Sequence, residues 1–240
     1  MSTHDDGRVI AAEEVETLDR KVAGAVRDAA AAIVHAGSFK EDLLHDALEP
    51  ALERRFGPDR VCRRRSRARA VLPDWMPQPQ SIDVSVLTGE TLRLAFELKV
   101  DDIRFTLWDM LKMAAATRIA SVQRAYLVVA ARTWDSPRAR QAGRRFFSVS
   151  PSPRAVSVVE LFDEYRRTWA HDLTASRARP TRFPEALELA HVAAASVPAW
   201  PRYELRALAV CDAPGTGYRS IDAQGWPVGI TPWMEGSCTE

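Results

Sequence analysis

The chain has 240 residues, of which 46% are hydrophobic, so it is long enough to bury a substantial core within one large domain. Lys and Arg number 33 and Asp and Glu number 32, and this balance excludes a general basic excess of the kind that attracts nucleic acid or an anionic membrane. The three widely spaced cysteines favour neither a disulfide framework nor a zinc site. With no signal-peptide pattern and no apolar run of about 18 residues, we expect a cytoplasmic protein that does not associate with membranes.

Two helices and a ribbon are predicted for the N-terminal third of the chain. Residues 13–36 have helical spacing. Ser38 and Glu41 have the form of a capping box that opens a second amphipathic helix, which runs to Phe56. Residues 60–70 are predicted to form a strand or an extended ribbon, and a proline-rich loop follows them.

The middle of the chain is predicted to alternate strands and helices. Residues 81–100 are typical of a β-hairpin, and Thr106 with Asp109 resembles an N-cap pair that opens a helix. The continuous apolar run at 125–131 predicts a buried strand. A short helix from 136, a strand at 155–159 and a helix after it complete this part.

The predicted fold class is α/β (α+β), with a mixed central β-sheet flanked by helices. Three regions are distinguished: an N-terminal helix at 1–37, a core at 38–174, and a Pro/Trp-rich C-terminal elaboration at 175–240 that packs on the core. Within the elaboration, a helix is predicted over 184–196 and a strand over 203–211.

Charged residues interrupt the predicted hairpin at Asp83, Glu97 and Lys99. Alternation along the two strands places two apolar sets against the same core: Ile82, Val84 and Val86 on one strand, and Leu92, Leu94, Phe96 and Leu98 on the other. Matching those sets requires a loop of three or five residues, which pairs Asp83 with Ala95 and gathers the three charges on the opposite face. An even-length loop would break both the match and the cluster.

Two converging carboxylates on such a face are costly to hold together unless a hard divalent cation lies between them. Mg²⁺ is the natural candidate, and Mn²⁺ is an alternative. A cation of this kind polarises a phosphoryl oxygen and lowers the pKa of a bound water, and a nearby ammonium orients that water. The pattern therefore indicates phosphodiester hydrolysis.

Asp83, followed on the next strand by Glu97-Leu98-Lys99, resembles the PD-(D/E)XK nuclease superfamily, whose fold is called restriction-endonuclease-like. The likeness covers roughly residues 38–132. It implies that Asp83 and Glu97 bind the metal, with the Leu98 carbonyl as a further ligand, and that Lys99 orients the attacking water. Ile82 departs from the family's proline before the first acid.

The family also implies an acid from the helix that precedes the sheet. Glu41 is our choice, with Glu49 and Glu53 as alternatives. A second Pro-Asp pair, Pro73-Asp74, lies in the proline-rich loop outside the alternating strand, so Asp83 is preferred.

The resemblance implies a Mg²⁺-dependent nuclease acting on DNA in a defence, restriction or repair context. An alternative of a different class is a non-catalytic nucleic-acid-binding or assembly module that keeps the nuclease fold. A third interpretation is an unrelated domain whose hairpin carries surface ion pairs. Because no target-recognition domain is evident, a homodimer or a protein partner is expected to supply specificity.

Other charged residues have two interpretations each. Asp109 and Lys112 are interpreted as a cap and a surface residue, and alternatively as polar helpers of the site. His45 is interpreted as a surface or packing histidine, and alternatively as an assisting group. Four arginines share one face of the ribbon and form either a phosphate-tracking stripe or a charged edge strand: Arg63, Arg65, Arg67 and Arg69.

Overall fold

The computed structural model describes residues 11–35, 37–63, 69–70, 72, 80–100, 103–132, 153–161, 182–213, 215 and 217–220. Its helices include α1 (Ala12–Ala32), α2 (Glu41–Phe56) and α3 (Ile103–Ala116), with a 3₁₀ turn at Pro58–Arg60. Residues 158–161 are also helical, so the strand predicted at 155–159 ends two residues early, at Ser157. The strands are β1 (Val61–Cys62), β2 (Arg69–Ala70), β3 (Gln80–Ser81), β4 (Val84–Thr88), β5 (Thr91–Val100), β6 (Arg124–Arg132), β7 (Arg154–Ser157), β8 (Arg182–Pro184), β9 (Ala186–Ser196), β10 (Tyr203–Asp212) and β11 (Tyr218–Ser220). Within these ranges, the helices are too short or too polar to cross a lipid bilayer.

A mixed seven-stranded sheet forms the centre of the fold, in the order β1-β4-β5-β6-β10-β9-β7. Strands β5 and β6 run parallel and are connected through α3, while the other neighbours pair antiparallel. A parallel pair needs such a crossover because its two strands must start at the same edge of the sheet. The predicted fold class, a mixed central sheet flanked by helices, is confirmed.

Strand alternation divides the core between the two faces of the sheet. On β6, Tyr126 and Val128 pack in the cluster that includes residues of α1 and α2, whereas Leu127 and Val129 pack in the cluster that includes α3. All four side chains are fully buried. A strand covered by helices on both faces has a continuous apolar run rather than an alternating one, as residues 125–131 predicted.

The helix predicted over 184–196 is wrong, because this segment forms β9. Its many alanines, glutamates and leucines have high helix propensity, but long-range pairing with β10 and β7 outweighs that local preference. Ala190 and Ala193 are buried in the cluster that contains Val22 and Val26 of α1. Small side chains on this strand let the helix pack closely against it.

The predicted strand near the C-terminus belongs to the central sheet. The strand predicted at 203–211 is confirmed as β10, which lies between β6 and β9. The C-terminal region therefore contributes interior strands to the central sheet. The short helix predicted from 136 lies outside the described residues.

The hairpin turn has two residues, not three or five. Thr88 lies opposite Thr91, and Gly89 in the turn has φ 59°, which suits the left-handed conformation of a two-residue hairpin loop. The apolar match survives because β5 contains a bulge: Leu87 is opposite Leu92, but Val86 is opposite Leu94. The extra residue in β5 returns the apolar side chains of both strands to the same face, which a two-residue loop alone would not do.

The bulge also changes the predicted register and faces. Ser85, not Asp83, lies opposite Ala95. Val84, Val86, Leu94, Phe96 and Leu98 share the cluster on the α1 and α2 side, as predicted, but Ile82 and Leu92 belong to the cluster on the α3 side.

Both predicted helix caps are wrong. The N-cap of α2 is Lys40, without a side-chain capping hydrogen bond, so Ser38 and Glu41 do not form a capping box. Helix α3 begins at Ile103, which places Thr106 and Asp109 within the helix instead of at its start. Glu41 and Asp109 are consequently available for other contacts.

Candidate functional site

Three residues of the predicted motif meet at one end of the β4–β5 hairpin. Because Val84 pairs with Phe96, continuing the register by one residue places Asp83 opposite Glu97. The Leu98 amide donates a hydrogen bond to Asp83 Oδ2 at 3.1 Å, which ties the first acid to the second strand. Asp83 and Glu97 are each only 4% exposed, so the interpretation of a solvent-facing ion-pair hairpin is wrong.

Helix α3 covers these acids with Lys112 and Asp109. Lys112 Nζ lies 2.5 Å from Glu97 Oε2 and donates to the Ser81 carbonyl at 3.3 Å. Asp109 Oδ2 lies 3.5 Å from Lys99 Nζ. Both α3 residues are buried, so their interpretation as a cap and a surface residue is wrong.

Helix α2 brings a second set of groups from the opposite face of the sheet. Glu41, His45 and Glu49 are spaced four residues apart and therefore share one side of this helix. Glu41 Oε2 lies 3.7 Å from Lys99 Nζ, so the side chain of Lys99 contacts acids of both α2 and α3.

His45 is held in a defined orientation within this set. Its Nδ1 lies 2.9 Å from Glu49 Oε1, and the carboxylate favours the tautomer in which Nδ1 carries the proton. The ring is 2% exposed, and Nε2 has no hydrogen-bond partner among the described residues. The nearby Glu41 Oε1, at 3.9 Å, is too far for a hydrogen bond. In that tautomer, Nε2 carries a lone pair that can bind a metal ion.

Ligand atoms of Glu41, His45 and Asp83 all lie within 4.8 Å of one another. Two carboxylates and one imidazole are a donor set that divalent metals accept. The 2.9 Å contact to Glu49 supplies the outer carboxylate that commonly fixes a metal-binding histidine. The residues present therefore fit a metal ion, with His45 as a ligand that sequence analysis did not assign.

Burial and charge set the protonation of the remaining groups. Burial raises the pKa of Glu97 well above its usual range; Lys112 opposes this effect, and Asp109 and Asp83 reinforce it. Burial also raises the pKa of Asp109, against the influence of Lys99 and Lys112. For Lys99, burial disfavours the ammonium, but the surrounding carboxylates, Asp109 foremost, outweigh it and raise the pKa. Lys99 is therefore a charged donor at neutral pH and not a general base.

No family model, no curated protein and no solved structure matches the chain. The chemistry of the site is therefore inferred from its own side chains.

The three candidate helix acids have different surroundings. Glu41 joins the cluster directly, and Glu49 joins it through His45. Glu53 instead forms a two-pronged pair with Arg63, whose Nε and Nη2 donate to its two oxygens at 2.6 Å each. Of these three acids, Glu41 is placed to act at the site and Glu53 is not.

The arginine stripe is described only in part. Arg63 is exposed, and its guanidinium binds Glu53. Arg65 and Arg67 lie outside the described residues, and Arg69 is described only as part of the backbone of β2. The stripe remains a prediction.

Sequence patterns carried a partial signal for the residues that were not assigned. The i,i+4 spacing of Glu41, His45 and Glu49 indicates one helix face, and Asp109 and Lys112 are one turn apart. Their convergence depends on α2 and α3 covering opposite faces of the same strand, which the sequence does not specify.

Proposed function

We propose that this protein is a divalent-metal-dependent nuclease that hydrolyses phosphodiester bonds, with DNA as its substrate. The observation that carries the proposal is the proximity of Glu41, His45 and Asp83 beside the charged Lys99. Within the described part of the chain, His45 Nε2 has no hydrogen-bond partner. The order of Asp83 and Glu97-Leu98-Lys99 on a hairpin, followed by a helix and a parallel strand, supports membership of the PD-(D/E)XK superfamily.

Glu41, His45 and Asp83 would hold the metal ion. A bound divalent ion supplies Lewis acidity to a phosphoryl oxygen and lowers the pKa of a water ligand. Mg²⁺ strongly prefers oxygen ligands, whereas a transition metal such as Mn²⁺ also accepts an imidazole. The histidine therefore favours Mn²⁺ over the Mg²⁺ expected from the motif alone.

Lys99 would act on the substrate as a hydrogen-bond donor. Its amine stays protonated and places a positive charge beside Glu41, whose side chain is 32% exposed. An ammonium there stabilises the negative charge that develops on the phosphoryl oxygens and orients the attacking water. Asp109 is a positioning residue, because its carboxylate holds Lys99 from the side of α3.

Cleavage of labelled single- and double-stranded DNA and RNA with Mn²⁺ or Mg²⁺ tests this proposal. We expect EDTA-sensitive cutting of DNA by the wild type, with losses of at least about 100-fold in Lys99→Met and Asp83→Asn. Glu53→Gln is the matched control, since Glu53 lies on the same helix as Glu41 but pairs with Arg63, and it should cut normally.

Two results would count against the nuclease. Cutting that survives in both Lys99→Met and Asp83→Asn would show a contaminating activity or a different site. A wild type that neither cuts nor binds Mn²⁺ would favour the non-catalytic binding or assembly module instead.

A further inference from the structure

We infer that Lys112 is a built-in cation whose ammonium takes the place of a second metal ion beside Glu97, so that each chain binds one divalent ion and not two. This inference rests on the proposed metal site of Glu41, His45 and Asp83. It adds a residue outside the motif, and it fixes the number of metal ions at the site.

The surroundings of the Lys112 ammonium resemble those of a small cation. Its Nζ is 2.5 Å from Glu97 Oε2, 3.3 Å from the Ser81 carbonyl and 4.0 Å from Asp109 Oδ1. These are oxygens of two carboxylates and one backbone carbonyl, the ligand types that hard divalent cations take in proteins. The side chain comes from α3, across the site from the metal ligands of α2.

Glu97 forms an ion pair with this lysine through its Oε2 atom. The ligand atoms that lie within 4.8 Å of one another come from Glu41, His45 and Asp83, so Glu97 does not belong to that set. A metal ion on Glu97 Oε2 would have to displace Lys112 Nζ, because the two cations cannot share the same space at 2.5 Å.

Displacement would be unfavourable because both partners are buried. Lys112 and Glu97 are 9% and 4% exposed, and the lysine would have to carry its charge without Glu97. Removing one partner of a buried ion pair generally costs far more than an exposed pair contributes. The ion pair therefore occupies the Oε2 side of Glu97, where a second metal ion would otherwise bind.

The stoichiometry of Mn²⁺ binding tests the inference without depending on activity. The full chain is titrated at pH 8, and free Mn²⁺ is counted from its electron paramagnetic resonance signal. We expect one ion per wild-type chain, two per Lys112→Met chain, and one per Lys112→Arg chain, in which the positive charge is kept. Circular dichroism checks that each variant is folded.

Each outcome separates the two proposals. Two ions in the wild type, or a single ion in folded Lys112→Met, would overturn the role of Lys112 while leaving the metal site intact. No bound ion in the wild type would overturn the metal site itself. If Lys112→Met does not fold, Lys112→Gln removes the same charge and keeps an amide to donate to Ser81, so it makes the same comparison.

Discussion

Glu49 provides a test of the metal site that leaves every proposed ligand in place. Its carboxylate accepts from His45 Nδ1 at 2.9 Å, and both side chains are buried, so water does not replace this contact readily. Replacing it with alanine removes the hydrogen bond that fixes the imidazole and the negative charge behind it, and the affinity for Mn²⁺ should fall.

The size of the effect follows from the type of contact. Loss of an outer carboxylate typically lowers metal affinity about 10- to 100-fold, which corresponds to about 1.4–2.7 kcal/mol. Glu49→Ala removes both the charge and the hydrogen bond and should lie near 100-fold. Glu49→Gln keeps an acceptor for Nδ1 and loses only the charge, so it should lie near 10-fold.

Isothermal titration calorimetry with Mn²⁺ measures these affinities directly. Glu53→Gln is the control one turn further along the helix, and we expect it to bind Mn²⁺ like the wild type because Glu53 contacts Arg63. Equal affinities for Glu49→Ala, Glu53→Gln and the wild type would refute the assignment of His45 as a ligand.

Three further predictions concern stability and reactivity. Phe96→Ala removes a fully buried ring stacked on Tyr126 and should lower the free energy of unfolding by about 3–5 kcal/mol in urea denaturation; a loss under about 1 kcal/mol would contradict this packing. Because the folded pKa of Asp109 is raised, its contribution to the free energy of unfolding is present below about pH 4 and is lost as the pH rises through that folded pKa. Asp109→Asn should flatten this decline when the free energy of unfolding is measured at a series of pH values, and an unchanged slope would contradict the prediction. Burial raises the pKa of the Cys211 thiol to about 12. At pH 8, mass spectrometry should therefore show that this thiol is alkylated about 1000-fold more slowly than a thiol with the usual pKa, and equal rates would contradict the prediction.

The hairpin shows what alternation can and cannot predict. Apolar spacing correctly placed Val84, Val86, Leu94, Phe96 and Leu98 on one face. It could not reveal the bulge between Leu92 and Leu94, because an extra residue changes the loop length and leaves the apolar match intact. The proximity of Asp83 to Glu97 was predicted, but through a register that is wrong.

Long-range pairing and packing account for the parts of the fold and of the site that the sequence did not predict. Residues 186–196 have the composition of a helix, and only the neighbouring β10 and β7 make them a strand. Similarly, His45 and Lys112 look like ordinary helix residues until α2 and α3 are placed on opposite faces of β5. The motif strand was visible in the sequence, whereas the groups that complete the site depend on the tertiary fold.

The proposed nuclease depends on a metal ion held by Glu41, His45 and Asp83, and one spectroscopic measurement tests that claim. Electron spin echo envelope modulation of Mn²⁺ bound to the wild type detects a directly coordinated imidazole nitrogen. We predict a ¹⁴N coupling that is present in the wild type and lost in His45→Gln. A spectrum without that coupling, or one that His45→Gln leaves unchanged, would contradict the account.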